Sequence, residues 1–189
     1  AVTDFSGAVS ITGADTVNAA GSITDAAVTD TTTFTINDGT GATTTSLTIT
    51  GAGTVTLGVI ANGTSDHSSD VADLVIGNGT GDTSVIVLGA ITGLDQNASP
   101  VPGANLDISI IADATAADGD STLQINGDVD AETDVVLSSE ATSSGTNVAT
   151  LTIGDGTNAA VFAGTINMNS NEADGAVTVL NIAAGSTVS

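Results

Sequence analysis

The chain has 189 residues, with 22 acidic side chains, one histidine and neither lysine nor arginine, for a net charge of −22. Nucleic acid and anionic membranes are therefore poor partners, because their phosphates need Lys or Arg to displace counterions; cations, basic proteins, or further copies of the chain bridged by metal remain. A hydrophobic fraction of 40% separates the chain from disordered acidic sequences, which join high net charge to low hydrophobicity.

Self-repulsion of this size works against compactness, so folding is expected to depend on salt or divalent ions. Only Phe5, Phe34 and Phe162 are aromatic, which leaves Val, Ile, Leu, Ala and Thr to fill the core. Small β-branched side chains suit thin, regular layers of strands. There is no cysteine, hence no disulfide and no thiolate metal site. No apolar run approaches the roughly 18 residues of a membrane-spanning helix. Ala1 follows no basic or apolar leader segment, and the expectation is a processed or excerpted product. Without lysine, isopeptide crosslinks are closed off and assembly is expected to be non-covalent.

In chain order, AVSITG (Ala8 to Gly13) is the first alternating segment. FTINDGTG (Phe34 to Gly41) follows, then SLTITGAGTVTLGVI (Ser46 to Ile60), LVIGNGTG (Leu74 to Gly81) and TSVIVLGAI (Thr83 to Ile91). Pro100 and Pro102, in DQNASPVPGAN, mark the one obvious break. They divide the chain into β repeat regions 1–99 and 105–189, joined by 100–104 within one continuous domain or between two. Beyond the break come STLQI (Ser121 to Ile125), LTIGDGTN (Leu151 to Asn158), AAVFAGTINM (Ala159 to Met168) and AVTVLNIA (Ala176 to Ala183). Apolar alternation supplies strands, and Asp/Asn-Gly supplies the positive φ of tight turns. Helical spacing is hardly seen, and Gly and Thr recur where a helix would suffer. The chain is expected to be all-β.

The Asp/Asn-Gly pairs begin at Asp38, Asn78 and Asp155, with a degenerate DGDS at Asp118, a spacing near 40 residues. In a β-solenoid, a parallel β-helix-like stack, that spacing predicts two coils of roughly 20 residues each. A β-sandwich with Greek-key connections is the alternative. The repeat and the scarcity of aromatics favour the solenoid. Its terminal strands, AVSITG and AVTVLNIA, are then candidate docking edges for another copy by strand addition.

SLTITGAGTVTLG and ATLTIGDGTNAAVFAGTI resemble the Gly/Thr-rich, Lys-poor surface proteins of bacteria: Gram-negative surface-layer proteins and the passengers of autotransporter adhesins. The resemblance covers most of the chain and implies export to the cell exterior and a scaffold or adhesive role. The calcium-binding nonapeptide GGxGxDxUx of type I-secreted relatives is absent, so a ready-made calcium roll is not expected.

The sharpest chemical signal is NGDVDAETD, which sets Asn126, Asp128, Asp130, Glu132 and Asp134 at every second position. On one strand all five would share a face. Carboxylates two apart lie about 7 Å from one another, each such pair costing about 0.6 kcal/mol in water. Calcium, which takes 6 to 8 oxygen ligands, would convert that penalty to attraction; a hydrated acidic edge that discourages strand pairing is the alternative. Asp66, Asp70 and Asp73 form a weaker group with loop spacing.

His67, the single histidine, sits among Ser and Asp, but a triad is defined by geometry, and an exposed loop histidine is the better reading. Carbohydrate chemistry lacks its usual platforms, since there is no Trp or Tyr, and no G-K-[ST] phosphate loop exists without lysine. Asn62, Asn78 and Asn97 begin N-x-[ST] triplets, which chance supplies in a Thr- and Asn-rich chain. The sequence as a whole points to a non-enzymatic extracellular structural protein: a self-assembling subunit or fragment of a surface layer or filament, stabilised by calcium. The stalk or binding module of a secreted adhesin is the rival.

Overall fold

The computed structural model describes residues 9–12, 16–20, 33–37, 44–50, 53–62, 71–77, 82–92, 106–112, 119–131, 133–139, 147–170 and 177–189. They form strands and connecting turns without a helix. The strands are β1 (Val9–Thr12), β2 (Thr16–Ala20), β3 (Thr33–Asn37), β4 (Thr44–Thr50), β5 (Gly53–Leu57) and β6 (Val59–Asn62). They continue with β7 (Val71–Gly77), β8 (Thr83–Val87), β9 (Ile91–Thr92), β10 (Leu106–Ala112), β11 (Ser121–Ile125) and β12 (Thr133–Ser139). The last five are β13 (Val148–Ile153), β14 (Val161–Phe162), β15 (Thr165–Ser170), β16 (Val177–Ile182) and β17 (Thr187–Val188).

The strands sort into three sheets. Sheet I has the order β2-β4-β7-β10-β12-β15 and sheet II the order β5-β8-β11-β13-β16. Sheet III comprises β1-β3-β6-β9 and β14-β17, joined by bridges from Val129 to Ile91 and to Phe162. From β4 onward the chain visits I, then II, then III, and returns to I beside the strand it left. Every pairing among the described residues is parallel, as expected when strands are linked by crossovers through other sheets. The antiparallel ladders of a Greek-key sandwich do not occur among these residues.

The in-register stacking explains how a core forms almost without aromatics. Each inward position continues from circuit to circuit as a column: Val55, Val85, Leu123 and Leu151 in sheet II, and Ile49, Ile76, Ile110 and Leu137 in sheet I. In sheet III the column runs Ile60, Ile91, Val129 and Phe162. All of these side chains are buried in one cluster lying between the three sheets. Burying such a side chain contributes roughly 1.5–3 kcal/mol, and stacking like on like keeps the layer thickness constant.

Two corners show why glycine is needed. Gly77 ends β7 at φ 94°, where a Cβ would collide with the Ile111 carbonyl and the Ser121 hydroxyl. At the turn from sheet II to sheet III, a Cβ on Gly127 would strike the Gly89 carbonyl of the preceding circuit. The backbone ladder continues around this turn: Asn126 N–H donates to the Val87 carbonyl at 2.8 Å and Gly154 N–H to the Ile125 carbonyl at 2.6 Å.

The circuit length corrects the expectation of 20-residue coils. Val9 pairs with Phe34, Thr44 with Val71, Ala72 with Leu106 and Thr83 with Ser121, so one circuit takes 25 to 38 residues, not 20. The 40-residue spacing is not a structural period: Phe34, Leu74 and Leu151, which open its three copies, lie on β3, β7 and β13, one in each sheet. Apolar alternation followed by Asp/Asn-Gly marks the end of a strand in whichever sheet that strand lies.

Pro100 and Pro102 fall outside the described residues. The sheets continue across them, with β7 paired to β10 and β8 to β11.

Candidate functional site

The NGDVDAETD stretch turns a corner instead of running along one strand. Asn126 follows β11 at the turn into sheet III, Val129 forms the sheet III bridge, and a turn at Ala131 precedes β12 in sheet I. Asp128 is exposed, and Asn126, Asp130 and Asp134 are half-buried; Glu132 lies outside the described residues. The expected single face is thus divided among the sheet II–III turn, sheet III and sheet I. The reason is local: Val129 and Thr133 are both buried on different sheets, and Asp130 caps the bend by accepting a hydrogen bond from Thr133 Oγ1 at 2.8 Å.

Other members of the row are also engaged within the fold. Asp128 Oδ1 accepts the Val161 N–H from the next circuit at 2.9 Å, and Asn126 Oδ1 accepts Gln124 Nε2 at 2.8 Å. The same device recurs at the entry to sheet II, where Asp82 Oδ1 accepts the Asp120 N–H at 3.2 Å and Asp120 Oδ1 accepts the Val148 N–H at 2.8 Å. An ionised carboxylate is an acceptor without a donor, so aspartate suits a corner where a main-chain N–H of the next circuit needs a partner. Part of the acidic excess is therefore structural bracing between circuits.

A second acidic arrangement is set by register. Asp73, Asp107 and Asp134 occupy directly paired positions on β7, β10 and β12. Adjacent strands lie roughly 4.8 Å apart, closer than residues two apart along one strand. The spacings in sequence are unequal, so no repeat reveals the column. The shared pattern Asp-apolar-x-apolar, in DLVI, DISI and DVVL, is the signal that could have. Among the described residues no group of three or more His, Cys, Asp or Glu side chains is gathered as a metal site.

An open groove of about 580 Å³ runs along the turn between sheets II and III, lined by Val59, Leu88, Ala90 and Asn126, with Asp155 and Asn158 at one end. Asp155 organises that end: its Oδ1 accepts the N–H groups of Thr157 at 2.7 Å and Asn158 at 2.6 Å, and its Oδ2 accepts Asn158 Nδ2 at 3.0 Å. The main-chain N–H groups of Asn158 and then Thr157 hold its carboxyl below the usual 3.8. A folded-state pKa below the unfolded value gives stability that is present above the unfolded value and lost as pH falls through the folded one. Asp155→Ala is accordingly expected to lower the melting temperature at neutral pH, with the difference shrinking in acid below 3.8. A pH-independent difference in a melting series would refute the charge contribution.

The groove walls carry Val, Leu, Gly, Ala, Asn and Asp, without a nucleophile–base pair or a cationic group. His67, Asp66 and Asp70 lie outside the described residues, as do Asn78 and Asn97; Asn62 is on β6. The chain matches no protein-family model, no curated protein and no solved structure.

Proposed function

We propose that this is an extracellular structural protein, a self-assembling subunit or fragment of a surface layer or extracellular filament, built as a β-solenoid and not an enzyme. The observation that supports the reading is the all-parallel, in-register stacking of three sheets among the described residues, an arrangement that strand addition from another copy would extend. The composition supports it: a chain without Lys or Arg has little with which to hold phosphates, and the bracing aspartates serve the scaffold. Negative-stain imaging of the purified chain tests it. Ordered arrays or fibres are expected; a persistent monomer would move the reading to the spacer stalk or binding module of a secreted adhesin.

Calcium is the proposed stabilising ion, with Asn126, Asp128, Asp130, Glu132 and Asp134 as its candidate ligands. A ligand bound by the folded state alone raises stability in proportion to RT ln(1 + [L]/Kd). Calcium is therefore expected to raise the melting temperature of the wild type, and the Asp128→Asn/Asp130→Asn variant is expected to lose most of that gain. Calorimetry of both proteins with calcium and with chelator decides it, and an equal calcium response in both would remove this row as a site.

A further inference from the structure

Sheet II differs from the other two in charge. β5, β8, β11, β13 and β16 contain no Asp or Glu, although the chain carries 22 acidic side chains. Residues that alternate with the buried columns of these strands lie on the outer face. Thr54, Ser84, Thr122 and Thr150 form one outer column in register, and Ile86 beside Gln124 sits in the next. Thr54 is exposed and the other five are half-buried, whereas the intervening Val85 and Leu123 are fully buried.

Carboxylates border this face without entering it. Asp82 and Asp120 stand at the corner that leads into it, each with Oδ1 accepting a main-chain N–H of the next circuit, and Asp155 follows the end of β13. The other sheets are different: sheet I carries the in-register column Asp73, Asp107 and Asp134, and in sheet III Asp128 and Asp130 flank the buried Val129. An uncharged centre within a charged rim is the composition of a protein–protein contact, and charge selects the partner. A cationic protein would be drawn to sheets I and III. A second copy, itself at −22, meets no row of opposing carboxylates among the described residues when it approaches sheet II with its own sheet II.

We infer that the chain pairs with a second copy through the outer faces of sheet II, packed sheet on sheet. The pairing is separate from polymer growth, because a contact that uses the same patch on both copies closes as a dimer. Five strands at about 4.8 Å each, by about 17 Å of strand length, give a face of roughly 400 Å². That is below the roughly 800 Å² per partner of a standard interface, so the pair is weak, reversible and favoured by concentration. Sodium chloride strengthens it by screening the net charge, the opposite of its effect on a pair held by salt bridges.

Sedimentation of the intact chain over a range of protein and salt concentrations tests the pairing. A monomer–dimer equilibrium is expected, with the dimer fraction rising with both. Thr122 lies on β11, the third of the five strands, so Thr122→Asp brings a carboxylate to the middle of the face in each copy and is expected to weaken pairing by about tenfold or more. Ser109→Asp adds the same charge at a half-buried position on β10 of sheet I and is expected to leave pairing unchanged; circular dichroism checks that both variants keep their β signal. The chain has no cysteine, so Thr122→Cys treated with a bismaleimide that spans the roughly 10 Å between packed sheets is expected to give a covalent dimer, and Ser109→Cys is not. Wild type that stays monomeric at every concentration overturns the pairing. Polymer or dimer that forms equally well with Thr122→Asp, or that crosslinks equally through Ser109→Cys, overturns it too and leaves the assembly reading standing. A dimer that responds as expected but never grows supports the pairing and counts against assembly into arrays.

Discussion

Phe162→Ala is expected to lower the stability of the folded chain by about 3–5 kcal/mol, the usual cost of truncating a buried phenylalanine. Phe162 is fully buried and is the largest such side chain among the described residues. It stacks in the sheet III column between Val129 and Val188. Main-chain bonds hold β14 on both sides, Ala163 N–H to the Val129 carbonyl at 2.9 Å and Ser189 N–H to the Phe162 carbonyl at 3.0 Å, so the backbone is poorly placed to collapse into the cavity. Val188→Ala, in the same column but 42% exposed, is expected to cost less than about 1 kcal/mol, since little transfer energy is lost. Urea denaturation of the three proteins under identical salt measures both. A Phe162→Ala loss no larger than that of Val188→Ala would mean that the sheet III column is not the core of the fold.

The same column shows which parts of the fold were legible. Alternation such as Val85/Val87 and Leu123/Ile125 identifies both the strand and its inward face, because period-2 burial depends only on residues close in sequence. Which strands pair is set by the lengths of the intervening turns. Along sheet III the partners Ile60, Ile91, Val129 and Phe162 are separated by unequal stretches that no fixed period captures. The spacing near 40 residues misled for that reason: Asp38, Asn78 and Asp155 share turn chemistry, and turn chemistry is local. Register is a property of the closed circuit.

The candidate site divides in the same way. That Asn126, Asp128, Asp130 and Asp134 carry acceptors is plain from the sequence, but the bend at Ala131 is not, since Ala131 and Glu132 carry no turn signal of the Gly, Pro or Asn kind. Burial of Thr133 in the core of sheet I and its hydrogen bond to Asp130 impose the bend. Asp82 belongs to no motif and Asp120 only to the degenerate DGDS turn, and their bracing role is hidden in the sequence because each holds a residue 28 to 38 positions away. The Asp73, Asp107 and Asp134 column was recoverable in principle, since the three strands share one pattern, but its significance depends on parallel pairing.

That column carries the second large effect. Asp107 has an aspartate in register on each side, Asp73 on β7 and Asp134 on β12. Two unit charges about 4.8 Å apart repel by roughly 0.9 kcal/mol in water. Asp107→Asn removes both repulsions and is expected to stabilise the chain by about 1–2 kcal/mol in metal-free buffer of low ionic strength. Asp73→Asn and Asp134→Asn each remove one, because the outer neighbours in the column are Ser46 and Thr165, and roughly half the gain is expected. Added sodium chloride should shrink all three gains, the Debye length being about 10 Å at 0.1 M. Calcium discriminates further. If the ion neutralises this column as well as the neighbouring row, Asp107→Asn changes from stabilising in chelator to destabilising in calcium, because it removes a ligand oxygen charge as well as a repulsion. Denaturation midpoints of the wild type and the three variants, at low salt, at high salt and with calcium, separate the cases. A destabilised Asp107→Asn at low salt without metal would show that these carboxylates do not repel one another across the strands.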